Sequence, residues 1–427
     1  MSFESYIPIL QFGKHLVWSR PNEGGGITYY YYYDAYTWAV AVLTLAWLGW
    51  FLVVRRRRAL ALRRWPRHAD YDRLKQIVRI KNELSSRYLR PDLSINIHAV
   101  GIGLLAGDYC IQVFVSDATD ELWVRSGPAP LPADYRGVPL VLVEMPLAGF
   151  LLDSGSEETA ISHASAIREH QDVIIGGISG ANANLTGQSG TIGYFCARRT
   201  RFPGRKEVHL LSNSHVFADL RKGGLDDADL IMQPSPGEPG PNRPIGSLVG
   251  FSPVKFHRGP IEPNHIDAAI ARLWARQEHK PVLPLIGAVK GYVPKRDVQL
   301  GEAARKFGRT TGYTEGRVFS IYLDIWIRYD RTRQSAFFQN QILIEPNSPG
   351  FSQFVAKGDS GSLVVDEHRH ALGLIFAGKS DVQDATVPAN IREAIDARGE
   401  MPRRIEGYGV ANPISEVLDR LKIDLLV

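Results

Sequence analysis

The chain has 427 residues, 44% of them hydrophobic, so it is long enough for more than one domain and can bury a sizeable core. Its two cysteines, Cys110 and Cys196, exclude a disulfide-stabilised framework and suit a reducing compartment. The net charge is +5, but seven arginines lie within residues 55–67, and without them the charge is 5 − 7 = −2. The basic charge is therefore local, and no nucleic-acid partner is expected.

An uncharged stretch of twenty residues, 35–54, comes directly before this arginine cluster. A helix that crosses a bilayer needs roughly 20 such residues, and aromatic side chains commonly flank it at the membrane interfaces. A buried core helix is the alternative, which the abrupt change to four consecutive arginines at 55–58 disfavours. We predict a transmembrane helix over 35–54. The flanking aromatic residues are 29–33, Tyr36 and Trp38 on one side and Trp47 and Trp50 towards the other.

The distribution of basic residues also predicts an orientation. Positively charged residues next to a transmembrane helix remain on the cytoplasmic side. The arginines follow the span, whereas residues 1–34 contain only Lys14 and Arg20 as basic residues. We therefore expect a single-pass membrane protein with residues 1–34 outside. The basic juxtamembrane segment 55–69 and the rest of the chain would lie in the cytoplasm.

Residues 70–150 are predicted to form a small α/β region without obvious chemistry. Apolar residues recur at helical spacing through 69–87, with charged residues between them, which indicates an amphipathic helix. Two β-rich runs follow, separated by an Ala-Gly-Asp turn at 106–108, and a third apolar run covers 138–143.

Residues 151–156 read Leu-Leu-Asp-Ser-Gly-Ser, which resembles the catalytic loop of aspartic proteases. Those enzymes need two such aspartates that share a proton. The sequence contains no second copy, although a homodimer could supply one. We favour an ordinary loop here.

From residue 181 onwards, short runs of alternating apolar residues are separated by Gly, Pro and Asn. So many short strands over more than two hundred residues predict a β-barrel or β-sandwich. A short amphipathic helix is predicted at 414–421. The predicted strands are 190–196, 207–211, 245–251, 266–273, 316–327, 342–344 and 371–376.

A candidate nucleophile lies in the turn 357–362, Lys-Gly-Asp-Ser-Gly-Ser, just before the apolar run 363–365. A serine between glycines at a turn entering a strand presents its hydroxyl and neighbouring N–H groups to one point. Acyl transfer requires that arrangement, because N–H donors stabilise the carbonyl oxygen as it becomes negative. A glycine-rich hairpin turn is the alternative that this segment alone leaves open.

Two further residues are suited to assist Ser360. His215 follows a strand and precedes a short helical segment, which would hold it at the strand's end facing a cleft. Asp267 lies among Ile, Ala and Leu, so its carboxylate is at least partly buried and needs a partner. An ion pair with Arg272 or a backbone cap is the alternative for Asp267. No His, Cys or Asp cluster has metal-ligand spacing, so neither a metal nor another cofactor is expected.

Together these segments resemble the trypsin/chymotrypsin-like serine peptidases. Residues 211–216 (Leu-Ser-Asn-Ser-His-Val), 266–270 (Ile-Asp-Ala-Ala-Ile) and 358–362 (Gly-Asp-Ser-Gly-Ser) match the family's histidine, aspartate and serine motifs in the right order. Residues 306–318 are similar to the Gly-Arg-Thr-Thr-Gly segment of a branch found in bacteria and plants. That branch often has a small N-terminal α/β region. The resemblance covers about 181–427, the predicted peptidase domain.

The resemblance implies a mainly β fold of two six-stranded barrels, with His215 and Asp267 from the first and Ser360 from the second. It implies a serine endopeptidase acting on proteins or peptides. Ser360 would be the nucleophile, His215 the general base and Asp267 the residue that orients the imidazole. The backbone N–H groups of Gly358 and Ser360 would form the oxyanion hole.

The sequence departs from the family in two places. In secreted relatives the aspartate before the serine pairs with a new N-terminus freed by cleavage. Here a folded region and a membrane anchor precede the domain, so Asp359 needs another partner, and regulation by a ligand, an assembly or a moving loop is expected. The residue six before Ser360, which sets charge preference in the family, is Phe354. With Phe376 and Gly378 on the pocket wall, this implies a small or apolar residue before the cut.

A second class of function stays open. The double barrel could be a catalytically silent or conditionally activated scaffold that acts as a membrane-tethered binding or signalling module, for example in defence. The presence of His215, Asp267 and Ser360 together argues against a silent scaffold.

Overall fold

The computed structural model divides into two units, Met1–Trp65 and Pro66–Val427. The residues that it describes are 14–21, 24, 27–33, 39–51, 71–90, 97–116, 132–151, 165–199, 207–220, 229–329, 334–379 and 403–427. All the candidate site residues lie in the second unit.

The described part of the first unit contains a hairpin and a helix. Strand β1 (Lys14–Pro21) pairs antiparallel with β2 (Ile27–Tyr33). Helix α1 covers 39–51 and exposes large apolar side chains, including Leu43 and Leu45 at 68% each. Among the described helices, none combines the length and apolarity that a membrane crossing requires. Residues 35–38 and 52–54 of the predicted span lie outside the described residues.

The second unit begins with the predicted amphipathic helix and hairpin. Helix α2 buries Leu74, Ile77, Ile80 and Leu84, which recur every three or four residues and so share one face. The turn at 106–107 has positive φ at both residues, as a two-residue hairpin turn requires. The elements of this region are α2 (Tyr71–Tyr88), β3 (Ile97–Leu105), β4 (Asp108–Val115), β5 (Asp134–Tyr135), β6 (Val138–Glu144) and β7 (Gly149–Phe150).

The rest of the unit is mainly β, which confirms the predicted class. Its first half contains α3 (Ser165–Arg168), β8 (Val173–Ile174), β9 (Ile178–Ser179), β10 (Ala181–Asn182), β11 (Thr191–Ile192), β12 (Tyr194–Arg198), β13 (His209–Ser212), α4 (Ser214–Phe217), β14 (Leu230–Gln233), β15 (Arg243–Phe251), β16 (Ala269–Leu273) and β17 (Glu278–His279). Its second half contains β18 (Gly291–Tyr292), a 3-10 turn (Lys295–Asp297), β19 (Ala303–Gly308), β20 (Gly312–Tyr329), β21 (Gln334–Pro346), β22 (Leu363–Val365), β23 (His370–Gly378), β24 (Arg403–Arg404), β25 (Gly409–Pro413), α5 (Ile414–Leu421) and β26 (Ile423–Leu425).

Two sheets dominate. The first has seven strands in the order β10-β14-β15-β16-β13-β12-β26, so the C-terminal strand completes it. The second has thirteen strands. Ten follow the path β19-β22-β23-β25-β21-β20-β3-β4-β6-β24, and β5, β7 and β18 pair with strands of that path from the side. Because β20 pairs with β3, strands of the 70–150 region and strands after residue 290 form one continuous sheet.

A buried ion pair reinforces this junction. The side chains of Lys81 in α2 and Asp324 in β20 are buried, with exposed fractions of 0% and 1%. Lys81 Nζ lies 2.6 Å from Asp324 Oδ2. Asp324 Oδ1 also accepts the backbone N–H of Asn340 at 3.1 Å. Charges removed from water are stable only when paired, so this contact holds α2 against the shared sheet.

Replacing Lys81 tests this junction. Lys81→Met leaves Asp324 buried without its counter-charge, so unfolding free energy should fall by about 3–5 kcal/mol in urea titrations. Lys75→Met is the matched control, because Lys75 is exposed on the same helix and should change stability little. Equal stability of the two variants would contradict a structural role for the pair.

Candidate active site

Three segments that adjoin strands of the two sheets bring His215, Asp267 and Ser360 together. His215 lies in α4, which begins two residues after β13 ends. Asp267 lies two residues before β16, and β13 pairs with β16, so both residues are at the same end of neighbouring strands. Ser360 lies in the turn before β22, which belongs to the second sheet.

The three side chains form a hydrogen-bonded chain. His215 Nδ1 contacts Asp267 Oδ2, and His215 Nε2 lies 2.8 Å from Ser360 Oγ. An ionised carboxylate can only accept, so Nδ1 donates to Asp267, and in the neutral ring Nε2 is then free to accept the serine hydroxyl proton. All three residues are at most 1% exposed.

Asp267 is held by backbone donors. Its Oδ1 accepts the N–H groups of Ser214 at 2.7 Å and His215 at 3.2 Å. Its own N–H donates to Asn412 Oδ1 at 2.8 Å. The carboxylate is therefore a cap for α4 as well as a partner for the imidazole. Arg272, the alternative partner suggested by the sequence, pairs with Glu207 at 3.6 Å.

The Ser360 turn packs closely against β11 and β23. Gly358 and Gly361 each have a φ of +96°, and a Cβ on Gly361 would lie 2.2 Å from the Thr191 carbonyl oxygen. The N–H of Thr191 donates to the Ser360 carbonyl at 2.9 Å, and Ser360 Oγ lies 3.3 Å from the Phe376 carbonyl oxygen. Glycine is needed on both sides of Ser360 because other residues would be strained or would clash.

The N–H of Gly358, a predicted oxyanion donor, has a partner from within the chain. It donates to the carbonyl oxygen of Leu151 at 2.7 Å. Leu151 directly follows β7, which pairs with β23. The sequence placed 151–156 in a loop, and of this stretch the structure describes only Leu151.

Asp359, which was expected to need another partner, pairs with a lysine. Lys306 Nζ lies 3.2 Å from Asp359 Oδ2, and both side chains are 0% exposed. The carboxylate also accepts the Thr310 N–H at 2.9 Å, the Thr311 hydroxyl at 2.7 Å and the Ala356 N–H at 3.0 Å. Burial lowers the pKa of Lys306, and the charge of Asp359 opposes that shift.

The sequence pattern did not predict the role of Lys306, although Lys306 is the first residue of the segment 306–318 that resembles the family. The signal that could have found it is a lysine whose neighbours on the same face of a strand, Ala304 and Gly308, are both small, since a lysine buried there needs an anion. Asn412 was also missed, because an asparagine 145 residues from its partner gives no local pattern.

The three predicted pocket residues are all buried near this turn. The Phe354 carbonyl accepts the Thr314 hydroxyl at 2.8 Å, and its ring centroid lies 5.8 Å from Lys306 Nζ. Phe376 packs on Phe338 with ring centroids 4.6 Å apart. A Cβ on Gly378 would approach the Tyr408 carbonyl oxygen to 2.5 Å. Their role in binding a substrate stays a prediction.

No protein-family model matches the chain, and no curated protein matches it. Among solved structures, it is similar to Protease A of Thermobifida fusca (15% identity, 60% of this chain and 99% of that one, TM-score 0.37). It is also similar to a glutamic acid specific serine protease (14%, 59% and 100%, 0.35) and to Cellulomonas bogoriensis chymotrypsin (16%, 59% and 98%, 0.35). These structural neighbours are trypsin/chymotrypsin-like serine proteases at low identity.

The Lys306–Asp359 pair should contribute strongly to the stability of the turn that carries Ser360. Lys306→Met leaves Asp359 buried without a cation, and we expect it to lower the free energy of unfolding by about 3–5 kcal/mol. Adding Asp359→Asn should restore part of that loss, because the uncompensated charge is then gone. Urea titrations measure both effects, with the exposed Lys290→Met as control. If the double variant is no more stable than Lys306→Met, the stabilising role of the ion pair is contradicted.

Proposed function

We propose that this chain is a serine endopeptidase that hydrolyses peptide bonds of protein or peptide substrates through an acyl-enzyme. The observation that carries the proposal is the hydrogen-bonded chain from the buried Asp267 through His215 to Ser360 Oγ, 2.8 Å from Nε2. A serine hydroxyl within hydrogen-bonding reach of an oriented imidazole is an activated nucleophile.

In the proposed reaction, Ser360 Oγ attacks the carbonyl carbon of the peptide bond, and His215 Nε2 takes its proton. His215 then returns the proton to the leaving amine. Asp267 keeps Nδ1 protonated and stabilises the imidazolium that forms. The backbone N–H groups of Gly358 and Ser360 stabilise the oxygen of the tetrahedral intermediate. Water releases the acyl group by the same steps in reverse.

We assign the two large sheets to the two β-barrels of a trypsin-like fold, with the site between them. Phe354, Phe376 and Gly378 form the pocket for the residue before the cut. Because Phe354 supplies no carboxylate, that residue is small or apolar rather than Arg or Lys.

We further propose that residues 35–54 span a membrane once, with 1–34 outside and the peptidase in the cytoplasm. The uncharged length of this stretch and the arginines at 55–58 support the span and its orientation. The apolar side chains that α1 exposes are suited to contact with lipid. The alternative function is a silent or conditionally activated membrane-tethered scaffold. It differs from the active peptidase in that Ser360 would not react, or would react only after activation.

Covalent labelling tests the enzyme. A fluorophosphonate probe should label the full chain at Ser360, and Ser360→Ala should abolish labelling, whereas Ser352→Ala at an exposed serine should not. Asp267→Asn should slow labelling by up to about 10⁴-fold, because the imidazole then favours the wrong tautomer. Mass spectrometry locates the label. A folded protein that stays unlabelled at Ser360 would favour the silent scaffold.

Reporter fusions test the membrane topology. A reporter enzyme fused after Val427 should be active only if it is of a type that functions in the cytoplasm. The reason is that the arginine cluster keeps the segment after the helix on the cytoplasmic side. Replacing the four arginines at 55–58 with glutamine should weaken the preference for a cytoplasmic C-terminus. Replacing Lys14 and Arg20 with glutamine should leave that preference unchanged. Activity of an exported reporter at the C-terminus would overturn the orientation.

A further inference from the structure

The segment that leads into the peptidase-like part lies in the candidate active site. Strand β7 pairs antiparallel with the end of β23, Phe150 opposite Ala377 and Gly149 opposite Gly378. On its other edge it runs beside β20, where the N–H of Arg328 donates to the Ala148 carbonyl at 3.0 Å. The segment is therefore held by backbone hydrogen bonds as a short inserted strand.

The strand ends at the reactive groups. Phe376, the residue before Ala377, places its carbonyl oxygen 3.3 Å from Ser360 Oγ. The next residue of the inserted segment, Leu151, directs its carbonyl oxygen to the N–H of Gly358 at 2.7 Å. An acyl carbonyl awaiting attack needs such a donor on its oxygen and a nucleophile beside its carbon.

The Leu151 side chain is 2% exposed, whereas Leu147 earlier in the same segment is 38% exposed. Backbone pairing gives an extended peptide its affinity for a sheet edge, and a buried side chain gives it specificity. Leu151 thus has the features of the residue that precedes a cleaved bond, and it is apolar, as the proposed pocket requires.

We propose that residues 149–151 are bound as the acyl half of the protein's own substrate, and that Ser360 cleaves the Leu151–Leu152 bond of the same chain. This proposal rests on the proposed peptidase function. It names one bond of the chain as a substrate, leucine as the residue before the cut, and an intramolecular reaction.

The step follows the proposed mechanism. Ser360 Oγ forms an ester with the Leu151 carbonyl carbon, and its proton passes to His215 Nε2. The C–N bond to Leu152 breaks, and the leaving nitrogen takes that proton to become a free α-amine. A water molecule then hydrolyses the ester, which regenerates the serine hydroxyl and leaves Leu151 with a carboxylate.

The fold predicts what happens to the two products. Pairing of β3 with β20 and the Lys81–Asp324 contact join the fragment before the cut to the fragment after it. Cleavage therefore leaves the halves associated, and the new end at Leu151 still covers the Ser360 site. External substrates must displace this strand, so the peptidase is conditionally active.

N-terminal sequencing and intact mass of the full chain test the cut. Denatured wild-type protein should give a fragment starting at Leu152 and a partner ending at Leu151, which co-purify before denaturation. Ser360→Ala should remain whole. Mixed with excess wild type, Ser360→Ala should stay uncut, whereas cutting in that mixture would overturn the intramolecular reaction.

A pair of substitutions tests the role of Leu151. Leu151→Lys places an unpaired cation in a buried site, so self-cleavage should fall at least about tenfold and fluorophosphonate labelling of Ser360 should become several-fold faster. Leu147→Lys introduces the same side chain at the exposed position and should change neither. The wild-type and Ser360→Ala comparison holds even if Leu151→Lys fails to fold.

The outcomes separate this proposal from the one on which it rests. Labelling of Ser360 in a chain that stays whole overturns self-cleavage and leaves the peptidase function standing. If Leu151→Lys also accelerates labelling of that whole chain, the segment is an inhibitor and not a substrate. A chain that is neither cut nor labelled, in wild type and Leu151→Lys alike, overturns both.

Discussion

Buried carboxylates impose the main constraint on this structure, because an aspartate removed from water must find donors or cations or it will not remain ionised. Three of the described aspartates that are at most 1% exposed each join parts of the chain that are far apart in sequence. Asp267 joins α4 to the strand β16, Asp359 joins the serine turn to β19, and Asp324 joins β20 to α2. The site and its attached N-terminal region are organised around these contacts.

The long strand β20 explains how the region before the peptidase-like part reaches the site. It pairs with its neighbours in sequence, β19 and β21, and also with β3 of the preceding region. This continuity fixes where the chain emerges after β6, so that β7 can enter between β20 and β23. The region 70–150 therefore shares a sheet with the strands that follow it, and this pairing brings Leu151 to the turn that carries Ser360.

Several features could be predicted because they depend on neighbours in sequence. The apolar spacing of 69–87 and 414–421 anticipated α2 and α5 to within two residues. The glycines around Ser360, the strand before His215 and the apolar residues around Asp267 made these three residues candidates. Their selection as a set depended on the order of the three motifs and on the resemblance to a known family. The domain limits at 70–150 and 181–427 remain predictions, and they cut through a sheet that the structure shows to be continuous.

The amino-acid sequence by itself determined the mainly β class, the local turn and strand settings of Ser360, His215 and Asp267, and the uncharged stretch beside the arginines. These depend on periodicity and side-chain type over a few residues. Only the tertiary structure decided that Lys306 is the partner of Asp359, that Lys81 meets Asp324, and that Leu151 contacts Gly358. Each of those contacts depends on the register of strands that are distant in sequence, and the pattern around either partner carries no information about that register.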